Sequence, residues 1–159
     1  MKKIKILILF TLVFSASCRQ DTIYSATEDS LKKIDPDYDK NDNLTYLVIP
    51  NSGCSGCITT TEAFVRDNYK SDKLKNIRYI FTRISNFKQF KFQFGNDILT
   101  SKNILIDRSD AFIYQDSEHY IYPAIVYRSE GHISSIDYQS PESPGLVNLM
   151  KKKYEKALK

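Results

Sequence analysis

Apolar positions divide the chain into three stretches of different character. Residues 6–14 are almost continuously apolar, residues 19–43 are dominated by Asp, Lys, Asn, Ser and Thr, and from Leu44 onward short apolar runs alternate with amphipathic segments. The run Leu44-Thr45-Tyr46-Leu47-Val48-Ile49 is apolar, β-branched and aromatic nearly throughout. That is the pattern of a strand buried on both faces, and it predicts the centre of a sheet. Ile58, Ala63, Phe64 and Val65, with Glu62 and Arg66 between them, predict a helix to about Tyr69 in spite of the poor helix formers Thr59, Thr60 and Thr61. A second strand is predicted over Ile77 to Ile84. Ser85 then caps a helix in which Phe87, Phe90 and Phe94 recur at spacings of three and four, and Gly95 ends it.

Ile104-Leu105-Ile106 predicts a short third strand, closed by Asp107 and followed by an irregular stretch from Arg108 to Tyr120. Pro123 to Tyr127 and Ile133 to Tyr138 flank Arg128-Ser129-Glu130-Gly131-His132 and predict a hairpin. A last helix is predicted with Ser143 as N-cap, Pro144 at its first position, and Leu146, Leu149, Met150, Tyr154 and Leu158 on one face. The order is strand, helix, strand, helix, short strand, hairpin, helix.

The first two stretches read differently. Lys2, Lys3 and Lys5 precede the apolar run, and Ser15-Ala16-Ser17-Cys18 follows it. The run is well short of the roughly 20 residues that cross a bilayer as a helix, so residues 1–17 read as a secretory signal. Small residues leading into a cysteine resemble a bacterial lipobox, which implies cleavage before Cys18 and lipid attached to it. Ser15 stands where lipoboxes usually carry Leu. An ordinary cleaved signal, with Cys18 as a removed or spare thiol, is the alternative. Residues 18–43 then read as anchor and polar tether, with a short helix allowed around Ala26 to Ile34, and residues 44–159 as one domain.

Charge excludes one class of partner. Of the 23 Lys and Arg, three lie in residues 1–17, where no acid does, which leaves 20 against 19 acids. A balanced surface gives no electrostatic reason to expect nucleic acid.

The candidate chemistry lies in Cys54-Ser55-Gly56-Cys57, directly after the first strand and at the start of the helix. A cysteine there meets unpaired backbone N–H groups and the positive end of the helix dipole, both of which favour the reactive thiolate. Cys18 and this pair account for all three cysteines, so no structural disulfide framework remains, and an exported compartment lets the pair cycle between dithiol and disulfide.

From residue 44 to the end the chain resembles the thioredoxin-like superfamily, in particular membrane-anchored thiol-disulfide oxidoreductases of bacterial cell envelopes. Two positions carry the resemblance: the CxxC after a strand, and Tyr122-Pro123-Ala124, a proline opening a hairpin strand where the family places its cis-proline. Asp107 and the hairpin with Gly131 fit the family's second half. The resemblance implies an α/β fold with a central mixed sheet flanked by helices. Cys54 would be the exposed nucleophile and Cys57 the resolving thiol. Ser55 and Gly56 would keep the loop uncrowded, and Tyr122 with Pro123 would line the groove for an extended substrate segment.

It also implies cysteines of exported proteins as substrates, a reductant fed by a membrane electron donor, and a lipid-anchored, periplasm-facing location. No cofactor or metal is called for. Two family features are missing: Gly53 stands where many members carry an aromatic residue, and Val48 where they carry a buried acid. Glu62 is the acid nearest the pair on the helix side.

Competing readings are a zinc site and a static disulfide. Zinc needs two more ligands, and His119 and His132 lack the usual spacing; haem attachment would need histidine where Ile58 stands. A non-enzymatic thioredoxin-fold lipoprotein that binds or scaffolds an envelope partner is the other class of answer. The unusual Gly53 and the missing acid motivate it.

Overall fold

A computed structural model describes residues 22–112 and 119–157. The signal, Cys18 and Leu158 lie outside them. Five strands form one mixed sheet: β1 (Thr45–Pro50), β2 (Ile77–Thr82), β3 (Ile104–Ile106), β4 (Ala124–Ser129) and β5 (His132–Tyr138), in the order β3-β2-β1-β4-β5. β1 is central and buried at every position. It runs parallel to β2, which runs parallel to β3, and antiparallel to β4, which pairs antiparallel with β5. The Leu44–Ile49 run thus leads into and forms most of a strand covered on both faces. Its alternate residues serve the two cores: Leu47 and Ile49 face one, Tyr46 and Val48 the other.

Helices α2 (Ser55–Asn68), α3 (Phe87–Phe94), α4 (Asn96–Leu99) and α5 (Gly145–Ala157) complete the body after β1. The phenylalanine stripe of α3 packs as expected, with Phe90 and Phe94 buried and their rings 5.0 and 4.6 Å from that of Phe81. Its N-cap is Asn86 rather than Ser85, with the Asn86 side chain accepting a hydrogen bond from the Gln89 N–H at 3.0 Å. On α5, Leu146 and Leu149 enter the core and Tyr154 remains exposed. The hairpin between β4 and β5 turns on Glu130 (φ 54°) and Gly131 (φ 83°), both left-handed, as a tight two-residue connection requires.

The opposite core departs from expectation. Residues 22–34 form a helix, α1, and residues 38–40 a short 3-10 turn. Leu31, Tyr38 and Leu44 pack with Tyr46, Val48, Ile80 and Val126 against the sheet. Residues 22–43, expected as a spacer, therefore cover one face of the domain. Arg128 fastens them: buried beneath the hairpin, it donates to the carbonyls of Tyr38 (2.9 Å) and Asn41 (3.0 Å), and its guanidinium sits 3.6 Å from the centre of the Tyr38 ring.

Candidate redox site

β1 ends at Pro50, a short bend follows, and α2 starts at Ser55 with Cys54 as its N-cap residue. Cys54 and Cys57 form a disulfide with Cα atoms 5.4 Å apart. Cys54 is half-buried and Cys57, within the first turn, is 7 % exposed, so an incoming thiolate meets Cys54 first. No side chain caps the helix, and its first turn carries no acid. The field of the helix N-terminus therefore acts on Cys54 without local neutralisation. The threonines after the pair fit the helix because Thr60 and Thr61 donate to the Gly56 and Cys57 carbonyls at 2.9 and 2.8 Å.

The segment before β4 closes over the start of α2. The Cys54 N–H donates to the carbonyl of Ile121 at 3.0 Å, and the Tyr122 N–H donates to His119 at 3.0 Å, which closes a turn over 119–122. The fold thus brings the CxxC and the Tyr122-Pro123 segment together, with Ile121 as the residue in backbone contact. Pro123 is buried and its peptide bond is trans. The Tyr122 N–H, already held by His119, leaves only the Tyr122 carbonyl to pair with an extended segment.

Gly53 follows from the same contact. It has φ 147°, and a Cβ there would lie 2.3 Å from the Ile121 oxygen. A side chain at position 53 and the turn cannot share that space. Gly56 has the opposite surroundings: a Cβ there would meet nothing within 4 Å. Relief of crowding is therefore not its role, and Ser55 and Gly56 form an exposed first helical turn.

Arg83, at the end of β2, was not singled out by sequence pattern. Its backbone is left-handed (φ 59°), its N–H donates to Asp110 Oδ1 at 3.1 Å, and its Nη1 donates to the Tyr120 carbonyl at 3.1 Å. A strap runs from β2 through the 119–122 turn to Cys54.

The nearby acids divide by environment. Asp107 is buried and accepts from Thr82 Oγ1, the Ser109 N–H and the Ala111 N–H, which shapes the loop after β3. Glu62, 7 % exposed on α2, accepts from Gln93 Nε2 at 2.8 Å. Burial raises its pKa above the usual carboxylate range against the partial pull of Arg66 and Gln93. Val48, on the strand before the pair, is an apolar member of the core shared with α1. The His119 ring packs 4.6 Å from that of Tyr138, and His132 is exposed at the hairpin.

Compared with models of known protein families, with curated proteins and with solved structures, the chain matches none. Strand order, flanking helices and a disulfide placed after the central strand are compatible with a thioredoxin-like fold.

Proposed function

We propose that the chain is a thiol-disulfide oxidoreductase that acts on cysteines of exported proteins, as reductant rather than oxidant. The observation that carries this reading is the Cys54–Cys57 disulfide at an uncapped helix N-terminus, with the more exposed cysteine as the N-cap residue. In the reduced protein the Cys54 thiolate attacks one sulfur of a substrate disulfide, and the substrate's other sulfur leaves and takes a proton. The Cys57 thiolate then attacks Cys54 Sγ, which releases the second substrate thiol and restores the Cys54–Cys57 disulfide. Two electrons pass to substrate in each cycle, and a dithiol donor, placed in the membrane on this reading, returns them.

The reductant direction is part of the proposal, taken from the resemblance to membrane-anchored reductants, and the composition of the loop supports it. Ser55 and Gly56 bring no charge to the thiolate, so the helix N-terminus stabilises it without a cation between the cysteines. A less stabilised thiolate makes a weaker oxidant and a better reductant. Anchoring through lipid on Cys18, on the periplasmic side of the envelope, completes the proposal, and a Cys18→Ala chain is expected to leave the membrane fraction.

Trapping tests the assignment of roles. Cys57→Ser is expected to accumulate mixed disulfides through Cys54, seen as higher-mass species on non-reducing gels. Cys54→Ser should accumulate none, and equal trapping by both would refute it.

A further inference from the structure

Helix α1 enters the fold at the redox edge of the sheet. Thr27 lines the same small pocket as Pro50, Arg83 and Tyr122, at the carboxyl ends of β1 and β2 and beside the turn that holds Cys54. Asp35, one residue past the helix, accepts from the Tyr46 hydroxyl at 2.8 Å near the start of β1. The Tyr38 carbonyl is held by Arg128 near the end of the antiparallel β4, which is that same far edge. The helix therefore runs from the CxxC edge down to the opposite one, with residue 22, where the described chain begins, on the CxxC side.

Only four residue steps separate Cys18 from residue 22, a span of at most about 14 Å when fully extended. The six-residue central strand is itself about 20 Å long. An anchor at Cys18 thus holds the CxxC edge against the lipid surface and keeps the far edge away from it. Had residues 19–43 been a free tether, their reach would have left orientation open.

The chemistry of this edge suits that placement. Tyr120 is 43 % exposed there, its ring lies 5.0 Å from the Arg83 guanidinium, and Arg108 is exposed in the loop after β3. Neither arginine has a carboxylate ion-pair partner among the described residues. Aromatic and cationic side chains are the groups that settle at an anionic membrane interface.

We infer that the redox edge faces the membrane, so that the sulfurs it exchanges with lie beside the bilayer. The inference rests on the proposed anchoring and exchange chemistry, and it narrows the partner from exported proteins at large to those with cysteines beside the bilayer.

Labelling on vesicles tests it. The lipid-modified full-length chain is placed on phosphatidylethanolamine–phosphatidylglycerol vesicles and treated with a bulky polyethylene-glycol maleimide. One variant leaves Cys54 as the reactive thiol (Cys57→Ser). A second places a thiol at the far edge (Asn43→Cys with Cys54→Ser and Cys57→Ser). Relative to detergent solution, vesicles are expected to slow labelling of Cys54 several-fold and to leave position 43 within twofold. Equal rates at the two sites, or slowing at position 43 alone, would overturn the orientation. A chain that does not stay with the vesicles overturns it as well, whereas the exchange chemistry is judged separately by Cys57→Ser trapping.

Discussion

At the residue scale, Gly53 shows how one small side chain sets the site. Its absence of Cβ lets the Gly53-Cys54 backbone rest on the Ile121 carbonyl, and the same contact fixes the Cys54 N–H. Gly53→Ala is expected to cost about 2 kcal/mol or more through lost backbone freedom and direct overlap, read as a lower denaturant midpoint. Arg83 should separate stability from positioning. Glycine at φ 59° relieves about 1 kcal/mol of left-handed strain, and loss of the bond to Tyr120 costs about as much. Arg83→Gly is therefore expected to unfold at nearly the wild-type temperature while the Cys54 amide exchanges hydrogen faster; unchanged exchange would count against the strap. Glu62 supplies a pH test. Its pKa is raised on folding, so its contribution to stability is intact below about 4.5, its ordinary value, and is lost as pH rises through the folded pKa. Glu62→Gln should match wild type in acid and be the more stable protein at neutral pH, as denaturant titrations at the two pH values would show.

At the scale of elements, the strands and the longer helices after residue 44 were legible because burial there follows a simple period, whereas the four-residue α4, with no buried position, was not. β1 is apolar throughout, and α3 repeats phenylalanine at helical spacing. The turn at 119–122 was not legible, since the bonds that tie it to the site come from the Cys54 N–H and the Arg83 side chain, both distant in sequence, and land on its backbone carbonyls. Helix α1 was misread for a different reason: much of its buried face is polar. Thr27 and Ser30 are buried yet satisfied, Thr27 by the Ile23 carbonyl at 2.7 Å and Ser30 by the Ala111 carbonyl at 2.6 Å. A composition of Ser, Thr and Asp reads as spacer until those partners are known. Leu31, fully buried beneath the sheet, is the position that decides whether α1 belongs to the domain. Leu31→Ala is expected to cost about 2–5 kcal/mol, measured by denaturant unfolding, and a change near zero would return the segment to the role of tether.

At the scale of the whole molecule, strand order does what the cysteine spacing alone cannot. It places the CxxC, the 119–122 turn, the end of β2 and Thr27 of α1 at one edge of a five-stranded sheet. The cysteine motif and the overall α/β plan could be read from the sequence, as could the proximity of the Tyr122-Pro123 segment. Which residue of that segment touches Cys54, and the polarity of α1, required the fold. The central claim is that Cys54 and Cys57 form a redox couple that acts as a reductant, and the reduction potential of the full-length chain tests it most directly. The protein is equilibrated in dithiothreitol buffers of graded potential and alkylated cysteines are counted by mass. The account predicts that both cysteines titrate together as a two-electron couple, at a potential nearer about −270 mV than about −120 mV. A pair that never titrates, or one that titrates near the oxidising end, would contradict it.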